Sequence, residues 1–476
     1  MAGGALRDAP APIQGGERGE SSGGVSPATS SRLLDRASPP PAAAGVGGAL
    51  ALGPAAPSPS RTGAVSGSVA GLEGPPGAAR GSPEAASSFL PRVYALREKS
   101  RRDEAVRTGG GGSDTEKAVE RGLRWLALHQ SPDGRWDLHD FTDHLDDVSP
   151  RDLIHGDWNG RGRRDSRGGS MRAASGATAG TGLAVLAFLG HGETQLGEGV
   201  FRENVKNGLA FLLRAQRRDG DLRGGGNLYM HAIAAFALCE AYAVTHDPAL
   251  AEPAKRAVEY TLRSQNPELG GWRYDPYPQG DDVDTSVFGW MLMALKSARV
   301  GGIALPERNV LRMGRYLDSA RMTEVGGRYA YQPGLSRTSL AMTAQGLFSS
   351  QVLAELLPLS GEDELEAHRR AAEESVDYLL RNLPARRDQD GANEYFWYYA
   401  TLALFQEGGP AWETWNSRLK EILLALQLGD DAGSAAGSWD PISRRAETGG
   451  RVYATAIAVL CLEVYYRYAP GREEKR

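Results

Sequence analysis

Cysteine is nearly absent from this chain: 476 residues hold two, Cys239 and Cys461. Both fall inside apolar helical patterns in different repeats, so buried free thiols are expected rather than a disulfide framework. Charge of one sign is also lacking. With 54 basic and 59 acidic residues the formal charge is −5, which creates no global field to recruit nucleic acid or an anionic membrane. No run approaches the ~20 consecutive apolar residues of a membrane-crossing helix. The opening MAGGALRDAPAPIQGGERGE has no apolar core of a secretory signal, and a soluble cytoplasmic protein is the expectation. Large apolar residues are scarce from Met1 to about Gly112, where Gly, Ala, Pro, Ser and Arg dominate. Such a segment buries too little to offset the entropy of ordering it, so residues 1–112 are expected to be a disordered arm.

What is present is repetition. Over residues 113–469 a charged helical pattern and an apolar one alternate six times, and internal repeats decide architecture before any other signal. The charged members lie near 115–130, 202–216, 252–265, 307–320, 366–383 and 413–427. Their apolar residues recur at helical spacing, as in Ala118, Leu123, Leu126 and Leu128. The apolar members lie near 178–190, 227–245, 284–299, 339–357, 393–406 and 450–468. Segments such as HAIAAFALCEAYAV and YATAIAVLCL have no polar face and must be covered on both sides. Twelve helices alternating in this way predict an all-α (α/α)6 toroid, an outer ring enclosing an inner one. Thr178, Asn227, Asp284 and Asn393 stand at equivalent inner-helix starts and are residue types that cap helices. An insertion at 137–175, a short basic segment at 91–107 and a tail at 470–476 stand outside the pattern.

The joints between paired helices carry a signature. Its clearest copy is Arg121-Gly122-x-x-Trp125-Leu126-x-x-x-Gln130-x-x-x-Gly134-x-Trp136. The second copy keeps Gln216 and Gly220 but has Leu222 for the tryptophan; Gln265 and Trp272, and then Gln427 and Trp439, mark later copies. A glutamine at the end of an outer helix can bond free backbone groups of a neighbouring helix terminus, and the tryptophan can cover that joint. These residues are therefore read as structural. The pattern resembles the QW motif of the squalene–hopene cyclase and protein prenyltransferase superfamily. Across 115–468 it looks like the single-toroid bacterial prenyltransferase/squalene oxidase repeat proteins.

That resemblance implies an apolar, polyprenyl-type molecule held in the inner ring. In class II terpene cyclases the middle acid of Asp-x-Asp-Asp-Thr protonates an alkene or epoxide. Here Asp281, Asp282 and Asp284 precede Thr285, with Val283 at the middle acid's place. The three aspartates are the candidate acids. A capping role for Asp284 competes, because a helix's positive end favours the ionised carboxylate. His231, one turn into the second inner helix, is a candidate base that Tyr229 or Asp284 could orient; a buried, hydrogen-bonded structural histidine is the bland reading. Tyr229, Trp290, Trp397 and Tyr398 are candidates to line the cavity, the last two within the aromatic run Tyr395–Tyr399. Protein prenyltransferases imply zinc held by Asp-x-Cys and a later histidine. Neither cysteine here has an aspartate two residues earlier, and no cofactor or metal is expected.

The insertion offers Asp137, His139, Asp140, Asp143, His144, Asp146 and Asp147, whose spacing reads as a solvated acidic loop rather than a metal site. Arg161, Arg163, Arg164 and Arg167 follow without aromatics, unlike a nucleic-acid platform. Three functions stay open at this point. One is a terpenoid-cyclase-like toroid acting on, or only holding, a polyprenyl-type molecule. The second is a non-catalytic scaffold that binds a protein or peptide, with its disordered arm and basic insertion as tethers. The third is a carbohydrate lyase or hydrolase, which needs paired acids or a catalytic arginine or lysine facing a groove. An open ring centre favours the first and a filled one the second.

Overall fold

The computed structural model describes residues 92–138, 140–146, 148, 176–277, 280, 282–322, 326–335, 338–357, 361–385, 394–443 and 446–468, all within one compact unit, Ala78–Arg476. Helices make up most of them. After a 3-10 turn at Arg92–Arg97 come α1 (Lys99–Gly109) and six helix pairs. The outer members are α2 (Ser113–Leu128), α4 (Arg202–Ala215), α6 (Pro248–Arg263), α8 (Glu307–Ala320), α10 (Glu362–Leu380) and α12 (Gly409–Leu426). The inner members are α3 (Ala177–Gly190), α5 (Leu228–Thr245), α7 (Thr285–Val300), α9 (Leu340–Leu356), α11 (Glu394–Glu407) and α13 (Ala446–Leu462), with a last turn, α14, at Val464–Arg467. Each inner helix packs on the next, and α13 packs back on α3 and α2, which closes the ring. The expected toroid is the observed fold.

Composition explains the two rings. Every residue of α3 is buried, and so are nearly all of α7 and most of α5, as helices covered on both sides must be. Helix α5 is long and apolar enough to cross a membrane, yet 72% of that span is buried within the protein. Outer helices such as α8 bury one stripe, Val310, Met313, Tyr316 and Leu317, and leave the rest to water.

The signature residues make the joints. Gln130 Nε2 donates to Gly134 O and across to Asn204 O on α4; Gln265 Nε2 does the same to Gly270 O and Asn309 O of α8. Gln427 Nε2 reaches Ala118 O of α2, so the same bond that links neighbours also joins the last repeat to the first. The indoles of Trp136, Trp272 and Trp439 donate to Leu126 O, Thr261 O and Leu423 O, carbonyls near the ends of their own outer helices. Gly270 is forced by two conditions. Its φ is +80°, and a Cβ there would stand 2.1 Å from Arg312 O of the next outer helix.

Two expectations are corrected. Residues 92–109, expected to belong to a disordered arm, fold and dock across the ring at the C-terminal ends of the inner helices. Arg97, only 3% exposed, donates to Arg467 O, Leu189 O and Glu240 Oε1, and Tyr94 bonds Ser297. Residues 1–91 lie outside the described residues, as do most of the insertion, including His139 and Asp147, and the tail. Thr178 does not cap α3, which begins one residue earlier; Asn227, Asp284 and Ser339 cap α5, α7 and α9 through their side chains. Asn393 lies outside the described residues.

Candidate functional site

The N-terminal ends of the inner helices gather the connecting loops and most of the candidate residues on one rim of the ring. Asp284 is the best-defined of these. Its Oδ1 accepts the Val287 amide at 2.8 Å and the Ser286 hydroxyl at 2.7 Å, which caps α7. Its Oδ2 accepts the Tyr331 hydroxyl at 3.1 Å. Because Tyr331 donates to Asp284, its own oxygen accepts from Tyr274, 2.9 Å away, and a two-tyrosine chain runs from a partly exposed ring to a buried acid. Arg273 bonds Asp282 at 2.6 Å and stands 3.7 Å from Asp284. Burial raises the Asp284 carboxyl above its ordinary range, against the pull of the Val287 amide, Ser286, Tyr331 and Arg273. The dipole argument predicted the opposite sign; desolvation outweighs it. Asp281 lies outside the described residues.

His231 is wholly buried, and both ring nitrogens are engaged. Nδ1 accepts the Leu222 amide at 3.1 Å, so Nε2 carries the proton and meets Thr261 Oγ1 at 3.0 Å. Burial lowers its value from 6.5 to about 4, which keeps the ring neutral. Threonines do the same work in other repeats: the amides of Trp136, Tyr329 and Trp439 donate to Thr181, Thr343 and Thr455. His231 thus occupies a recurrent joint position, and neither Tyr229 nor Asp284 orients it.

The centre of the inner ring is filled. Trp290 stacks on Tyr398 with centroids 5.6 Å apart and planes 14° from parallel, and meets Tyr229, Tyr395 and Tyr399 edge-on. Its indole N–H donates to Tyr229 Oη at 2.9 Å. Tyr395 donates to Gln345 Oε1 at 2.6 Å, and Gln345 Nε2 donates to Ser286 O, which ties three inner helices together. Tyr229, Trp290 and Tyr398 therefore converge as expected, but on one another.

Trp397 is not with them. It lines a separate cavity of about 50 Å3 between α11, α12 and α13, shared with Glu394, Leu423, Trp439, Asp440 and Cys461. The Glu394 carboxyl accepts the Ile442 amide, and burial pushes it from 4.5 up to about 7. Asp440, on the same cavity, bonds Arg451 at 2.6 Å. Sequence reasoning passed over Glu394 because a glutamate opening a helix is ordinary, and over Arg273, Tyr274 and Tyr331 because only the fold carries them to Asp284. Both cysteines are buried free thiols, and no cluster of three metal-ligating side chains forms among the described residues.

No family model matches this chain, and no curated protein matches it. Among solved structures, the alpha-1,6-mannanase of Salegentibacter sp. HEL1_6 is similar over 74% of this chain and 98% of its own, at 10% identity and a TM-score of 0.50. The likeness establishes the fold. This chain is an α/α toroid. A type II terpene cyclase from Scytonema, in complex with geranylgeranyl dihydroxybenzoate, is similar over 74% of this chain and 97% of its own, at 14% identity and a TM-score of 0.45. The cellobiose 2-epimerase of Spirochaeta thermophila DSM 6192 is similar over 61% of this chain and 85% of its own, at 17% identity and a TM-score of 0.45. At identities of 10–17% these likenesses show the fold alone.

Proposed function

We propose that this toroid is a non-catalytic scaffold that binds a protein or peptide on the rim formed by the N-termini of its inner helices. The observation that carries the reading is the filled centre. A polyprenyl molecule needs a pocket of several hundred cubic ångströms, and the space where it would lie holds the Trp290–Tyr398 stack with both side chains buried. The opposite end is closed by the chain's own Tyr94 and Arg97. Asp284, the most buried candidate acid, has both oxygens committed to donors. The rim, by contrast, offers Tyr274 and Tyr277, 41% and 76% exposed, beside the Arg273–Asp282 pair. Tyrosine and arginine are enriched where proteins bind one another.

The test has two arms. Product analysis with squalene and geranylgeranyl diphosphate should find no conversion by the wild type. Conversion that disappears in Asp282→Asn or Asp284→Asn, with melting temperature retained, would overturn the proposal. A photo-crosslinking residue at Tyr277 should capture a discrete protein in cells, whereas the same residue at Leu365 on the outer ring should not. Equal labelling from both positions would remove the rim assignment.

A further inference from the structure

The docked segment 92–109 lies over an acid that takes no part in the joints or the rim. Glu463, between α13 and α14, is wholly buried, and neither of its carboxyl oxygens has a hydrogen-bond donor among the described residues. Arg467 Nη1 stands 3.8 Å away, but that guanidinium already donates to Leu186 O at 2.8 Å and to Glu240 Oε1 at 2.9 Å. The carboxyl also lies against Gly190, the last residue of α3, where a Cβ would stand 2.1 Å from Oε2. It therefore sits at the C-terminal ends of both α3 and α13, whose dipoles oppose a negative charge. A buried carboxyl without donors, beside two helix C-termini, is held neutral. Burial raises it well above its ordinary 4.5, against the pull of Arg467, Arg97 and Arg102.

The segment packs directly on this region, because α14 meets both α1 and the 3-10 turn before it. Arg102 of α1 donates to His191 O at 2.8 Å, lies 3.6 Å from Glu116 of α2 and stands over the Tyr466 ring. The groups around Glu463 are thus Arg97 on the turn, Arg102 on α1, Glu116 on α2, and Tyr466 and Arg467 on α14. His191 follows Gly190 at the end of α3. We propose that Glu463 is a proton-controlled lock on the docked segment. With the carboxyl protonated, residues 92–109 stay seated; as the segment lifts, water reaches the carboxyl and takes its proton. The sign follows from linkage: a group neutral when docked and ionised when hydrated contributes fully below its ordinary 4.5. That contribution is lost as pH rises toward the raised value, about tenfold in the docking equilibrium per pH unit.

Glu463→Gln keeps the size of the side chain and removes its titration. Trypsin cleavage of the full-length protein within residues 97–107, read by mass spectrometry, reports the lifted population. The wild-type rate is divided by the variant's rate at the same pH, which cancels the protease's own dependence and the titration of Glu116 and His191 common to both. That ratio should rise at least tenfold between about pH 6.5 and pH 8.5, and a ratio constant within about twofold would overturn the lock. Glu463→Met replaces the glutamine variant if the amide unseats the segment. Infrared difference spectra, wild type minus variant at pH 6.5, should contain the C=O stretch of a protonated carboxyl. Carboxylate bands in its place would equally overturn the proposal. Neither measurement bears on the rim, so the lock and the scaffold reading fail separately.

Discussion

Replacing Arg97 with alanine tests whether the segment ahead of the first repeat is part of the folded ring. The guanidinium donates twice to Arg467 O, at 3.0 and 3.1 Å, once to Leu189 O and once to Glu240 Oε1. It also lies 4.2 Å from the centroid of the Tyr94 ring. Glu240 is wholly buried and takes a second cation, Arg467, at 2.9 Å. Truncation leaves a buried carboxylate with half its counter-charge and two backbone carbonyls without their donor. Removing one partner of such a pair typically costs about 3–5 kcal/mol. For a body running from Arg92 to Arg467, the unfolding entropy is roughly 0.8 kcal/mol per kelvin, so about 4 kcal/mol lowers the melting temperature by roughly 5 °C. Differential scanning calorimetry reads that shift, and limited proteolysis within 92–112 reads the local release. Arg97→Ala, Glu240→Gln and the double variant complete a cycle in which the double loss should fall well short of the sum. A melting temperature within about 1 °C of wild type, with unchanged proteolysis, refutes the docked segment.

The other predictions concern joints and titrating groups. Gly270→Ala meets both a φ of +80° and a carbonyl 2.1 Å away, whereas Gly302→Ala meets a φ of +86° and open space. Strain alone is worth about 1–3 kcal/mol, so calorimetry should show Gly270→Ala as clearly the worse of the two. His231→Thr should fold with near-native stability because threonine fills that joint elsewhere, while His231→Leu, which strands the Leu222 amide, should lose about 1–3 kcal/mol in chemical denaturation. His231 is lowered from 6.5 to about 4 by burial, so its contribution is full above 6.5 and drains away as pH falls toward 4. Glu394, raised from 4.5 to about 7, contributes fully below 4.5 and loses that contribution as pH rises through 7. Melting temperature against pH should therefore flatten on the acid side in His231→Thr and on the neutral side in Glu394→Gln. His191 and Glu116 keep a residual slope, because burial moves them to about 4 and about 7 as well. Asp284→Ala should lose about 0.5–2 kcal/mol as a lost cap, and Asp284→Asn much less; Asp282→Asn, in a half-exposed pair, should stay within about 1 kcal/mol.

The ring was legible because four of the six outer helices end on a glutamine, Gln130, Gln216, Gln265 and Gln427, while the fourth and fifth copies have lost it. Gln427 announces closure as plainly as Gln130 announces a neighbour, since each amide reaches a backbone carbonyl near the start of the following outer helix. The docked segment was not legible. Arg97 finds its partner carbonyl 370 positions away, and a short stretch rich in arginine carries no mark of a buried end. The candidate site divides on the same ground. Periodicity placed Trp290 and Tyr398 on inner helices but could not say that they would stack on each other instead of on a ligand.

Asp284 and Glu394 show why acids resist sequence reading most. Both open inner helices, where the dipole favours the ionised form by at most about 1–2 kcal/mol. Desolvation depends on what covers the carboxyl, and that comes from other repeats. Tyr316 and Tyr331 lie close to Asp284, while residues of α12 and α13 share the Glu394 cavity. In both, burial sets the direction of the shift. Asp284 takes the Val287 amide and Ser286 on one oxygen and Tyr331 on the other, while the Glu394 carboxyl is held by Ser443 and the Ile442 amide. In both, a donor and the covering surface come from segments distant in the chain, so the three-aspartate run could be located in the sequence while the state of Asp284 could not.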